Sequence, residues 1–161
     1  MENIRNIRLV KTEPIIGSRI AACIIDYGVL IVFNFVFIHS AGEPDNLGGY
    51  HVHGWPTFIP FLVWLFWIVG MEQLVGATIG NNIAGIKPVS IRGRTLELSF
   101  GQSLKRHLVD CVDMFFFGLI GVILVLKTSR NQRLGDLWAD TIVVRKDFKL
   151  ETARMHTNYN H

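Results

Sequence analysis

The stretch IIGSRIAACIIDYGVLIVFNFVFI, residues 15–38, decides the fold. As a helix rising ~1.5 Å per residue, it is long enough to cross a ~30 Å hydrocarbon core. Only two charges interrupt it, Arg19 and Asp26. They stand two helical turns apart, so both lie on one face. Counted from Gly17, Asp26 lies ~13 Å into the helix, close to the bilayer midplane. A carboxylate there costs at least ~2.5–3.5 kcal/mol on the insertion scale, so it must face protein or water.

The flanking sequence agrees with a membrane anchor. Half of the 161 residues are hydrophobic, and they come in runs rather than in alternation. No Lys or Arg occurs between Ile20 and Ile86, whereas basic residues crowd both sides of that interval. A loop at 39–57, rich in Gly and Pro and carrying Glu43 and Asp45, leads to a second apolar helix at 58–76. Tyr50 and Trp55 are its interfacial anchors. The positive-inside rule places the N-terminus in the cytoplasm, loop 39–57 outside, and the segment with Lys87, Arg92 and Arg94 inside. The first run is longer than a signal core and no small-x-small site follows it, so it is expected to remain as an anchor. The net charge of +3 is too modest for a nucleic-acid footprint. Cys23 and Cys111 sit in apolar helical segments and read as small hydrophobes.

Beyond Gly76 the character changes. β-branched residues around Arg92-Gly93-Arg94 predict a cytoplasmic β-hairpin at 84–98. Ser99 followed by Gln102 is a capping-box pattern that opens a helix. That helix carries Arg106, Asp110 and Asp113 before an apolar run ending at Leu126. The run is only about thirteen residues long, below the ~17 that span a bilayer. A third crossing would also carry Lys127, Arg130 and Arg133 to the outside, against the charge rule. Residues 99–130 are therefore read as a re-entrant helical hairpin on the cytoplasmic side, with a third span as the alternative. A strand at 138–146 and a loose polar tail at 147–161 complete the chain. The fold class is an all-α integral membrane protein: two transmembrane helices, the helical hairpin (or third span), and a small cytoplasmic β-hairpin or sheet. All of it forms one domain over 1–161, in a bacterial-type plasma membrane.

Three patches together resemble the RDD family of small membrane proteins. They are Ser18-Arg19-Ile20-Ala21-Ala22 running to Ile25-Asp26-Tyr27, then Gly76-Ala77-Thr78-Ile79-Gly80 with Gly85-Ile86-Lys87-Pro88-Val89, and finally the segment from Gln132 to Val144. The resemblance implies that Arg19 and Asp26 are the first two residues for which the family is named and Asp136 the third. It also implies transport of small ligands, with cation/proton exchange in some members. Where the family usually carries lysine after the Thr-x-Gly pair, this chain has Asn81.

The candidate site residues are Arg19, Asp26, Glu72, Arg106, Asp110, Asp113 and Asp136. Burial favours the neutral acid and a nearby cation favours the carboxylate, so Asp26 is suited to exchange a proton or hold a cation. The alternative is a structural polar anchor. Helical side chains lean toward the N-terminus, which strains a direct Arg19–Asp26 pair; Arg19 is expected at the headgroups or on a carboxylate such as Asp136 or Asp113. Arg106, Asp110 and Asp113 form one helical stripe, and their order suits contacts across to other helices, such as a polar seam with Asp26 and Glu72. For Glu72 the favoured reading is nonetheless a solvated interfacial carboxylate, and for Arg133 with Asp136 a local ion pair clasping the C-terminal strand. Gly76-x-x-x-Gly80 could let two helices approach closely, within the protomer or in a dimer, but at a helix end a turn or cap is the favoured reading. His51-x-His53 offers too few ligands for a metal site. No nucleophile elbow, phosphate loop or paired-cysteine site occurs, so neither an enzyme nor a cofactor is expected.

Two functions follow. The first is transport, with Asp26 as a buried site for a proton or monovalent cation, in a homo-oligomer large enough to enclose a pathway. The second is a non-transporting scaffold or regulatory subunit, in which Arg19, Asp26 and Asp136 are structural ion-pair anchors. The partners expected are the lipid bilayer, a monovalent cation or proton and further copies of the chain, with no nucleic acid.

Overall fold

The computed structural model describes residues 12–92, 95–113 and 118–147. The apolar run at 15–38 forms α1, Ile16–Ala41, which ends where the Gly42 N–H bonds back to the Ile38 carbonyl at 2.9 Å. At ~1.5 Å per residue α1 is ~39 Å long. The second run forms α2, Trp55–Val75. It opens with a tight turn at Pro56, widens into π turns over Leu65–Gly70, and stops at Gly76, whose left-handed φ of 80° suits glycine. Both helices are long and apolar enough to cross a membrane, and only 17% of the most apolar window of each is buried. Their outward faces, with Ile24, Ile31, Phe35, Phe61 and Phe66, are apolar and exposed. Between them, β1 (Glu43–Pro44) and β2 (Tyr50–His51) pair antiparallel around a turn whose Asp45 carboxylate accepts the N–H groups of Leu47 and Gly49.

Thr78 caps a short helix, α3 (Ile79–Ile83), which packs across α1. Gly80 permits this approach. A Cβ there would strike the Ala22 carbonyl oxygen and lie 2.7 Å from an Asp26 carboxylate oxygen. The Gly-x-x-x-Gly pair thus divides its work: Gly76 caps α2 and Gly80 is a contact between helices. Gly80→Ala is expected to cost ~1–3 kcal/mol by overpacking. A lower thermal midpoint in detergent would register it, and an unchanged midpoint would contradict the close approach.

β3 (Ile86–Ser90) is not half of a local hairpin. It pairs antiparallel with β4 (Thr141–Arg145), in the register Ile86↔Arg145 to Ser90↔Thr141. Residues 95–98 form no strand; Leu96 instead packs on the cluster of Val89, Ile91, Ile142 and Val144. The reason is burial. In β4 the first four residues are all buried, so one face joins that cluster while Val143 meets Ala22 and Ile86 on the α1 side. Arg94, in the predicted hairpin turn, lies outside the described residues.

The Ser99–Gln102 capping box is present and opens α4, Phe100–Leu108. A short helix α5 (Asp110–Asp113) follows, and after Gly118 the chain continues as α6, Leu119–Lys127. Met114 to Phe117 and the tail from Phe148 lie outside the described residues. Gly121 lets α6 run close to α5, since a Cβ there would sit 3.2 Å from the Asp113 carbonyl oxygen. The segment leaves the sheet and comes back to it: Gln102 donates to the Ala139 carbonyl (2.9 Å) and Gln132 to the Thr141 carbonyl (2.7 Å). Asn131 also bonds Thr12, just ahead of α1. The last helix, α7 (Leu134–Trp138), packs on α4 through Gly135, where a Cβ would strike the Arg106 carbonyl.

Candidate functional site

Three arginines and five carboxylates meet where α1, α2, α4, α5 and α7 converge. Arg106, two residues beyond mid-α4 and 1% exposed, donates to Glu72 Oε1 at 2.6 Å and Asp136 Oδ1 at 3.1 Å. Ser103, one helical turn earlier, donates to the other Glu72 oxygen. Glu72 is therefore not a solvated interfacial group: the turn into Gly76 carries it inward, to 2% exposure. Arg19 reaches out of α1 to Asp136 Oδ2 (3.0 Å) and the Asn131 carbonyl (2.8 Å). Of the partners expected for it, Asp136 is the one it takes.

Arg133 keeps the local pairing expected of it at long range, with Asp136 Oδ1 4.0 Å from its Nε, but its closest partner is Asp110, whose Oδ1 lies 2.8 Å from its Nη1. The N-cap position sets this geometry. The Asp136 carboxylate turns back on the Arg133 backbone N–H (3.3 Å), which leaves the Arg133 side chain to point across to α5. Asp110 also accepts the Tyr27 hydroxyl at 2.6 Å and His107 Nδ1 at 2.8 Å. Asp113 receives the backbone N–H groups of Leu134 (3.1 Å) and Gly135 (3.2 Å), acting as a cap for α7.

Burial works against the charge on Asp136, but Arg106, Arg19 and Arg133 outweigh it and hold that carboxyl well below the usual range. Asp110, likewise opposed by burial, is pulled down to about 2 by Arg133 and His107. Burial lowers the proton affinity of Arg133, yet Asp110, Asp136 and Asp113 more than reverse it, so Arg133 stays charged. For Asp113 burial dominates and pushes the carboxyl up.

Asp26 is different. It is 5% exposed, and its partners are neutral: the Thr78 hydroxyl at 2.6 Å and the Gly80 backbone N–H at 2.7 Å. Among the described residues no Arg, Lys or His lies within ion-pair distance of it. It borders a cavity of ≈ 130 Å³ whose lining includes Arg19, Tyr27, Asn81, His107 and Arg133. The sequence reading placed Arg106, Asp110 and Asp113 with Asp26 and Glu72 in one polar seam, and all five do converge. It overlooked Thr78, Tyr27 and His107. The Ser99 capping box sets the helical register in which Arg106 and His107 are adjacent and Asp110 follows one turn on, so that signal was available. Thr78 as a carboxylate partner had none.

The RDD family profile matches residues 14–140, a span that holds α1 through α7 and every residue of this cluster but the flanking Thr12 contacts. The chain belongs to the RDD family. No curated protein and no solved structure matches it. Family membership and the two apolar helices together mark a membrane protein. In this RDD protein Arg19 and Asp136 form an ion pair, while Asp26 stands apart from them, bonded to Thr78 and Gly80 at the start of α3. Among the described residues no group of three or more His, Cys, Asp or Glu is placed to hold a metal ion. His51 instead lies 2.6 Å from Asp45 in the loop between α1 and α2.

Proposed function

We propose that this RDD protein transports a small ligand, a monovalent cation in exchange for protons, with Asp26 as the buried site. One observation carries the reading: Asp26 is a buried carboxylate on a cavity wall, and the chain supplies it with hydrogen bonds but no counter-charge. Every other carboxylate of the cluster has an arginine within 4.0 Å. A proton or a small cation would complete Asp26 and could leave again, which a tethered guanidinium cannot do.

The setting we propose is the bacterial plasma membrane with the N-terminus in the cytoplasm, from the absence of basic residues between Ile20 and Ile86. Residues 99–130 enter the membrane from the cytoplasmic side and return, supported by the two glutamines that tie their ends to the sheet, Gln102 to Ser90 of β3 and Gln132 to Thr141 of β4. The exposed apolar faces of α1 and α2 meet lipid and further copies of the chain, since two spans and a hairpin enclose little by themselves.

The test is cation-dependent proton flux in proteoliposomes, wild type beside Asp26→Asn, with Na⁺, K⁺ and Li⁺ in turn. Loss of at least tenfold of the flux in the variant is expected, because an amide neither titrates nor carries charge. Flux that survives the substitution in folded protein defeats the proposal. A scaffold remains the second reading, favoured by the ion pairs that hold Arg19, Arg106 and Arg133 against carboxylates. Absence of flux in the wild type would leave it standing.

A further inference from the structure

Five carboxylates and three arginines do not balance, and one group in the cluster titrates near neutral pH by its nature: His107 on α4. Its imidazole is 6% exposed. Nδ1 lies 2.8 Å from Asp110 Oδ2, and a carboxylate held ionised can only accept, so Nδ1 keeps its hydrogen. The proton that comes and goes is therefore on Nε2. That atom is buried with no hydrogen-bond partner, 3.5 Å from Glu72 Oε2, on the wall of the cavity that Asp26 shares.

The charged groups around the ring come from every packed element. Glu72 of α2 and Asp110 of α5 flank it, each within 2.8 Å of an arginine, Arg106 and Arg133. Asp136 shares Arg106 with Glu72 and also pairs with Arg19, and Asp113 is spent on the backbone of α7. Tyr27 donates to Asp110 rather than to the imidazole. Across the cavity, Asp26 is the carboxylate left without a paired cation.

We propose that His107 is a second proton site whose protonation at Nε2 weakens the binding of a monovalent cation at Asp26. This rests on the reading of Asp26 as an ion site, and it adds the device by which pH controls occupancy. A positive imidazolium and a cation at Asp26 share one small cavity and repel each other, so each lowers the affinity for the other by the same factor. Burial alone would keep the ring neutral, but Asp110 and Glu72 overcome it and raise the proton affinity of His107. The imidazolium is therefore favoured as the pH falls, and the cation as it rises.

The experiment is an imidazole NMR titration of the full chain in nanodiscs, with the His107 signal assigned through His107→Gln. Titrations are compared in Na⁺, K⁺ or Li⁺ and in choline at the same ionic strength. The expected result is a His107 transition, raised by Asp110 and Glu72, that moves to lower pH in one of the small cations, with about tenfold weaker proton binding. The shift is expected to vanish in Asp26→Asn. A ring that does not titrate while the protein stays folded, or that moves equally in choline, overturns the inference, and both results are read on wild type even if the variant fails to fold. Flux without this linkage leaves the transport reading intact and removes His107 from it; linkage without flux shows a cation site in a protein that does not transport.

Discussion

Arg106→Met is expected to lower stability by ~3–5 kcal/mol, the cost of leaving buried charges without their partner. Arg106 is the centre of the cluster, with both Glu72 and Asp136 within 3.1 Å of it and all three side chains at 2% exposure or less. Methionine fills much of the volume of the arginine stem, so packing survives while the two carboxylates lose their shared cation. Glu72 retains only Ser103 and the distant His107 Nε2, and Asp136 falls back on Arg19. The measurement is the thermal midpoint of the folded fraction in detergent, followed by size exclusion after heating. The double variant Arg106→Met/Glu72→Gln is expected to recover part of the loss, because it removes the uncompensated charge rather than the packing. A single variant as stable as wild type would mean that water reaches this cluster.

Asp136→Asn is expected to cost a similar ~3–5 kcal/mol, by the reverse imbalance. Its carboxylate, fully buried, joins Arg19 at 3.0 Å to Arg106 at 3.1 Å, and its removal leaves two guanidinium groups facing each other with Arg133 nearby. The pH dependence separates this from lost packing. Three arginines hold the Asp136 carboxyl well below its ordinary range, so its contribution is fully present above about pH 4 and lost as pH falls through the depressed value. The gap between wild type and Asp136→Asn should therefore stay constant at neutral pH and close only in strong acid. A gap that is independent of pH down to denaturation would assign the loss to shape instead of charge.

Features that depend on local composition could be read directly from the residues. The two spanning-length helices were legible from their apolar runs, and the start of α4 from Ser99 and Gln102, because hydrophobic length and a capping hydroxyl act within a few residues. The same holds for the membership of the charged cluster. Each of Arg19, Asp26, Arg106, Asp110, Asp113 and Asp136 stands out as a charge in or beside an apolar segment, where it has no cheap alternative to a protein partner. Tertiary structure decided the pairing. Arg133 keeps Asp136 three residues on at 4.0 Å, yet the N-cap geometry of α7 gives it a closer partner in Asp110 at 2.8 Å. Glu72 looked solvated, yet α4 brings Arg106 against it. Ile86–Ser90 looked like half of a hairpin, yet it takes β4 from more than fifty residues away, because that strand buries more apolar surface than its neighbour. Asp26 is the sharpest case. Its place along α1 follows from helical rise alone, whereas its neutral partners come from Thr78 and Gly80, which only the close approach of α3 to α1 can deliver. Ion pairs and register are long-range choices among several chemically equivalent partners, and only the packed backbone selects one.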